Sequence, residues 1–316
     1  MYLLIMNRLD LLTKTYRMLH NYPGVPSWLL SVPRRIVRSV SARLLPTYLS
    51  QPHNHRSIVV SNTPPVIVSF TSFPARINNV WQVVECILRQ SYCPQKVLLW
   101  LSKDQFPSYE SIPQTLRERE GDIFEIRMVD GDIRSHKKYY YVFKEYPDSL
   151  VFLIDDDLYY PTDIIERSVK EYQKGESSII CNYGFHVLYD KGKILPYKKW
   201  ERVTSYSTSS NLFFGSGGGT LVDVSKFNRI VKRIDLALQL TPIADDIWLN
   251  AIARYSNIRM SMLKNGSILP INNAADVKLA TQNLWDNKND DQINKVREYF
   301  LKNEGILLFE DNNSFC

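Results

Sequence analysis

Three consecutive carboxylates, Asp155-Asp156-Asp157, directly follow the apolar run Leu150-Val151-Phe152-Leu153-Ile154. Acids this close repel one another, so the triplet needs water, a cation or a basic group to balance it. Carboxylate oxygens are hard ligands suited to Mg2+ or Mn2+, which in turn bridge phosphate oxygens. The chemistry on offer is a cation site that holds a phosphorylated substrate. The plainer reading is a solvated acidic turn ahead of a helix started by Thr162 or Asp163. A second pair, Asp245-Asp246, opens a segment in which Trp248, Ala251, Ile252 and Tyr255 mark one helix face. A carboxylate there caps free N–H groups and suits the helix dipole. One acid is enough for that, which leaves the other as a candidate general base. Between the two groups lies Gly215-Ser216-Gly217-Gly218-Gly219. So many glycines allow either close approach of the backbone to a ligand or a tight strand-connecting turn. The run lacks the Gly-Lys-Ser/Thr ending of a P-loop.

The elements that must position these groups follow from the pattern of apolar residues. The run before the acid triplet reads as a strand buried on both faces. Its C-terminal end is where open α/β sheets place their ligand crevice. Val66 to Phe70 forms the first strand, and Thr71-Ser72-Phe73-Pro74-Ala75-Arg76 is the loop leaving it. Ile77, Val80, Trp81, Val84, Ile87 and Leu88 then fall at helical spacing. Further strands are expected at 97–101, 124–129 and 178–181, and helices at 136–146, 162–174 and 290–302. The last helix would bury Ile293, Val296, Phe300 and Leu301, with the final residues frayed. Strands alternating with helices imply β-α-β units, hence an α/β fold with a doubly wound, mostly parallel sheet flanked by helices.

The chain has 316 residues, 44% of them hydrophobic, enough for one large domain or two smaller ones. Its net charge of +6 is carried by residues 1–57, where eight basic side chains face a single acid, Asp10. The near-neutral remainder argues against a broad nucleic-acid-binding surface. We therefore expect a basic helical N-terminal arm over 1–57, ending in a linker, and a catalytic domain over 58–316. Within the arm, Ile36, Val37, Val40 and Leu44 share one helical arc, Arg34, Arg35 and Arg38 another, and Trp28 and Leu29 precede them. Such a helix either lies on an anionic membrane surface or packs its apolar stripe on the body and leaves its arginines in water. Four cysteines without regular spacing indicate thiols in a reducing compartment. No apolar stretch reaches the roughly 18 residues of a membrane span. The apolar opening Tyr2 to Met6 is too short for a signal-peptide core. The expectation is a cytoplasmic protein, with at most peripheral attachment to the inner face of the membrane.

Several stretches occur in an order that resembles a known family. They are Ser69-Phe70-Thr71-Ser72-Phe73-Pro74-Ala75-Arg76, Arg89-Gln90-Ser91-Tyr92, Leu99-Trp100-Leu101-Ser102 and Arg134-Ser135-His136-Lys137-Lys138-Tyr139-Tyr140. Ile154-Asp155-Asp156-Asp157, the glycine run and Ala244-Asp245-Asp246-Ile247-Trp248 follow. Together they resemble bacterial family 2-like glycosyltransferases of surface and capsular polysaccharide synthesis, which have the GT-A (nucleotide-diphospho-sugar transferase) fold. The resemblance runs from about Val66 to Phe300 and leaves the arm outside. No acid ends the second strand, where many relatives contact the base, so the nucleotide stays open.

The resemblance implies an inverting, metal-dependent transfer of a sugar from a nucleoside diphosphate, most often UDP, to a hydroxyl of a glycan or lipid-linked acceptor. Mn2+ or Mg2+ would be held by Asp157, with Asp155 or Asp156 toward the ribose or a metal-bound water. Thr71, Phe73, Arg76, Arg134, Lys137 and Lys138 would complete the donor site, the cations serving phosphate or base. For one of the two lysines a solvated helix face is an equal reading. Asp246 would deprotonate the acceptor, and Asp245 would orient Asp246 or contact the acceptor. Tyr197 and Trp200 would stack on sugars or be buried. Two alternatives are a sugar-nucleotide nucleotidyltransferase, which the glycine-free Thr71–Arg76 loop disfavours, and an inactive membrane-associated scaffold of the same fold.

Overall fold

The computed structural model describes residues 7–20, 25–26, 28–53, 65–209, 211–264, 268–271 and 288–310. Its centre is a seven-stranded sheet. The strands are β1 (Val66–Thr71), β2 (Lys96–Ser102), β3 (Phe124–Val129), β4 (Leu150–Ile154), β5 (Ile179–Cys181), β6 (Gly218–Asp223) and β7 (Met260–Met262). Their spatial order is β7-β5-β6-β4-β1-β2-β3. All run in one direction except β6, which is antiparallel to both β4 and β5. The expected strands are therefore present, within a mixed α/β architecture whose sheet is mostly parallel. The reversed strand beside β4 is the departure from a simple βαβ series.

Side chains alternate between two buried layers, as a strand covered on both faces requires. Ile67, Leu98, Val151 and Leu153 face one layer, and Val68, Phe70, Leu99, Phe152 and Ile154 face the other. Helices α4 (Lys137–Glu145), α6 (Asp245–Tyr255) and α7 (Lys288–Glu304) cover the first face. The opposite face is covered by α3 (Val80–Leu88) and α5 (Ile164–Tyr172), joined by the arm helices α1 (Arg8–His20) and α2 (Ser31–Leu49). In α7, Ile293, Val296 and Phe300 are buried as expected, but Leu301 is exposed. Cys86 and Cys181 are buried free thiols that burial pushes up in pKa. Cys316 and the final residues lie outside the described residues.

The arm is fastened to the body by more than its apolar side chains. Leu9, Tyr16, Leu45 and Leu49 are buried in the same layer as β1 and α3. The Asp10 carboxylate accepts hydrogen bonds from the Thr162 backbone N–H at 2.8 Å and its hydroxyl at 2.7 Å. Thr162 is thus tied to the arm, and Asp163, at the start of α5, makes no side-chain cap. Arg89 donates to the carbonyls of Leu49 at 3.0 Å and Gln51 at 2.6 Å. In α2 the residues turned to the body are Ser41, Leu45 and Leu49, with Val37 half-buried. Ile36, Val40 and Leu44 point to solvent. The helix packs on the body, but through a different stripe from the one its sequence suggests. Removing residues 1–57 would therefore strip buried side chains and backbone partners from the body, so deletion is no clean probe of what the arm binds. The expected boundary at 57 lies outside the described residues.

Candidate active site

Chain order makes β1 the switch point of the sheet, since β2 and β3 extend from one side of it and β4 lies on the other. Ligand crevices form outside the carboxyl ends of strands at such a point. Here that edge receives the Thr71–Arg76 loop from β1 and the acid triplet from β4. The reversed β6 brings its N-terminus there too, with Gly218 paired to Ile154. The glycine run and the acid triplet meet for this reason.

Basic groups lie against all three acids of the triplet. Asp156 is buried and accepts from the Ser72 hydroxyl and, at 2.9 Å, from Arg76 Nη1. The same guanidinium nitrogen lies 3.0 Å from Asp157 Oδ2. Burial pushes the Asp156 carboxyl up in pKa, and Arg76 and Ser72 offset only part of that. Asp155 points the other way, 2.7 Å from Lys138 Nζ. A solvated acidic turn does not describe this arrangement.

Lys138 joins the two groups of acids. Its ammonium, on the first turn of α4, lies 2.7 Å from Asp155, 3.3 Å from Asp245 Oδ2 and 3.0 Å from the Ser216 hydroxyl. Ser216 in turn donates its hydroxyl to Asp245 at 2.7 Å and its backbone N–H to Asp246 Oδ1 at 2.8 Å. Burial alone would lower the Lys138 pKa, but Asp155, Asp245 and Asp246 outweigh it and hold the ammonium above the usual lysine range. Asp245 is likewise buried, yet Lys138, His136 and Ser216 keep its carboxyl below the ordinary value. For Asp246, burial and the adjacent Asp245 charge win, and its carboxyl is pushed up to about 7. Environment thus drives two neighbouring carboxyls apart, and such pairs commonly divide acid–base roles. The backbone holding Lys138 is fixed as well. Its carbonyl accepts from the Ser69 hydroxyl, which accepts from Trp100 Nε1 at 2.9 Å.

The glycine run makes the strand-connecting turn, and the close approach its glycines allow is to a side chain of the protein itself. Residues 215–217 turn the chain from the strand Leu212–Phe214 into β6, and the backbone does approach something closely. That partner is Asp155, whose N–H donates to the Gly217 carbonyl at 3.1 Å while Tyr160 donates its hydroxyl to the same oxygen. A Cβ at position 217 would lie 1.8 Å from the Asp155 carboxyl group. Gly217→Ala should therefore displace Asp155 from Lys138 and lower activity by about 100-fold or more, since small misplacements at a reacting centre cost that much. Near-parental turnover in a folded variant would show that the Asp155 position is unimportant.

Other expected site residues divide. Thr71 donates its hydroxyl to the Trp100 carbonyl at 2.7 Å, and Phe73 is half-buried beneath the Arg76 guanidinium, 5.3 Å from its ring centroid. Lys137 does not join Lys138; it is buried and paired with Asp132. Neither lysine is a solvated helix residue. Arg134 is exposed, with left-handed backbone (φ 54°), its N–H donating to Asp132 at 2.9 Å. Trp200 is buried against Phe213 with its indole N–H donating to the Leu195 carbonyl, so it presents no open face for a sugar. Tyr197 is half-buried beside it. Ser72, Tyr160 and Ser216 were not singled out from sequence, although Ser72 and Ser216 sit inside stretches that were. Two surface depressions, one beside Lys14 and Arg17 and the other between Arg254 and Phe309, contain none of these residues.

Among the described residues, no three His, Cys, Asp or Glu side chains form a metal cage. Ions such as Mg2+ do not need one, because they are commonly held by one or two carboxylates together with water and substrate phosphates. Asp155 and Asp157 suit that donor set, their side chains being 42% and 20% exposed at the crevice. Asp156, enclosed by Ser72 and Arg76, does not.

Fold and site together define a mixed α/β protein with a mostly parallel sheet and a cluster of carboxylates at its strand ends. No protein-family model and no curated protein matches the sequence. Among solved structures, 93% of the chain aligns with 76% of the mannosyltransferase PcManGT from Pyrobaculum calidifontis in complex with GDP-Man and Mn2+. The identity is 11% and the TM-score 0.48, a likeness too slight to speak for chemistry.

Proposed function

We propose that the protein is an inverting glycosyltransferase of GT-A type that moves a sugar from a nucleoside diphosphate, with UDP as the leading donor, to an acceptor hydroxyl on a glycan or lipid-linked glycan. The observation that carries this reading is the meeting of Asp155 and the Asp245-Asp246 pair around Lys138 and Ser216. It brings carboxylates suited to a divalent cation and a carboxyl of raised pKa together at one end of the sheet.

A divalent ion held by Asp157 and Asp155 would neutralise the diphosphate as it leaves. Arg76 lies beside Asp157 and can turn its guanidinium fork to phosphate oxygens when the carboxylate takes up another cation. Asp246 takes the proton of the attacking hydroxyl, and its raised pKa suits a base working near neutral pH. Asp245, held ionised by Lys138, stabilises the arrangement and keeps the Ser216 hydroxyl turned toward it. Attack from the face opposite the diphosphate inverts the anomeric carbon.

Release of nucleoside diphosphate from a panel of sugar nucleotides with Mn2+ tests the class, since a nucleotidyltransferase would release pyrophosphate and a scaffold nothing. Asp157→Ala should lose the metal-dependent part of donor binding, at least tenfold in Kd by calorimetry with and without Mn2+. Equal affinities in both conditions, matching the parent, would remove Asp157 from the cation site.

A further inference from the structure

We propose that the outer face of α2 is a docking surface for an anionic lipid bilayer. Trp28, Leu29, Val32, Ile36, Val40 and Leu44 are 70%, 49%, 60%, 57%, 37% and 45% exposed. Seven of the eleven large apolar side chains exposed among the described residues lie between Met18 and Leu44, so the arm holds most of the apolar surface that the fold leaves uncovered. From Val32 to Leu44 these residues recur every fourth position and form a continuous row along a helix of 19 residues, roughly 28 Å long. The opposite stripe of the same helix, through Ser41, Leu45 and Leu49, is already spent on the body. This helix therefore has two apolar faces, and folding uses one.

Charge decides among the candidate occupants. Arg35 and Arg43 are exposed beside the row, and α2 contains no acidic residue. The one acid in residues 1–57, Asp10, is buried and committed to Thr162. A second copy of this chain docked by the same face would bring arginines against arginines without a carboxylate to pair them. An anionic bilayer supplies both needs, an apolar boundary for the row and phosphate for the guanidinium groups, with Trp28 suited to the headgroup level. Because α1 grips Thr162, five residues beyond Asp157, the arm is anchored to the segment that leaves the acid triplet. Docking would thus hold the crevice at a lipid surface, where a lipid-linked acceptor resides; that last clause rests on the transferase reading, whereas the docking itself does not.

The test is flotation of the full chain with vesicles of phosphatidylcholine alone and of phosphatidylcholine with 30–40% phosphatidylglycerol (about the range in which anionic surface charge dominates). Binding should require the anionic lipid. Each surface arginine contributes roughly fivefold, so the double variant Arg35→Gln, Arg43→Gln should bind about 25-fold more weakly. The variant Ile36→Gln, Val40→Gln should also lose at least tenfold while melting close to the parent, because neither side chain belongs to either core layer. Equal binding to both vesicle types, or binding that survives both variants, overturns the proposal. So does a dimer in solution that the Ile36→Gln, Val40→Gln variant dissociates while vesicle binding is absent.

Discussion

Asp246→Asn should abolish transfer, lowering kcat by about 10²- to 10⁴-fold, the usual contribution of a positioned base, with donor affinity unchanged. The substitution keeps the shape of the side chain, and the amide oxygen can still accept the Ser216 N–H that now bonds Asp246 Oδ1 at 2.8 Å. What is lost is the negative charge and, with it, the capacity to take a proton. With the parent protein, kcat/KM for the proposed transfer should rise tenfold per pH unit on the acid side and level off above about 7, where the Asp246 carboxyl is ionised. The variant should show no such limb. Near-normal turnover in Asp246→Asn, with the limb intact, would place the base elsewhere.

The same substitution carries a stability signature of opposite sign. Asp246 has a raised pKa in the folded protein, so its favourable contribution is present below the ordinary carboxylate pKa and is lost as pH climbs toward 7. Asn resembles the protonated carboxyl and is indifferent to pH. Parent and variant should therefore melt together near pH 4, whereas at pH 8 the variant should be the more stable, with the higher Tm. A site that gives up stability to keep a charge near Asp245 is expected where that charge has a task.

The difference between what the sequence discloses and what it hides follows from locality. β1, β2, β3 and β4 were legible because each is an apolar run covered on both faces, and the acids after Ile154 declare themselves by adjacency. The place of β6 was not, since three residues of strand pattern after a glycine run say nothing about direction or neighbours. Lys137 and Lys138 differ by one helical step of about 100°. That step sends one ammonium to Asp132 and the other to Asp155 and Asp245, a choice made by strands far away in the chain. The α2 stripe misled for a related reason. Apolar residues occupy two arcs of that helix, and periodicity cannot tell which of them meets the body. Asp10 lies 152 residues from the threonine it caps, and no local pattern marks such a pair.

Lys138→Met tests the joint between the two acid groups and should be the most damaging single change to stability. Methionine nearly matches the length of the lysine stem but leaves Asp155 and Asp245 without the ammonium that now lies 2.7 and 3.3 Å away. Removing one partner of a buried ion pair costs about 3–5 kcal/mol, because the remaining charge is left uncompensated. Transfer activity should vanish with it, since Asp155 and Ser216 both lose a fixed partner. The loss should depend on pH with a definite sign. In the parent, the depressed pKa of Asp245 contributes stability above the ordinary carboxylate range that is lost only in stronger acid. Without Lys138, burial of Asp245 is no longer opposed by that ammonium, so the variant folds best with the carboxyl protonated and weakens as pH rises. Its deficit should be small near pH 4 and full at pH 7. Adding Asp245→Asn to Lys138→Met should recover about 1–3 kcal/mol, a coupling expected of groups in direct contact. A deficit equal at both pH values, together with strictly additive single changes, would mean that Lys138 supports the crevice by packing alone, and the two groups of aspartates would then be neighbours without being joined.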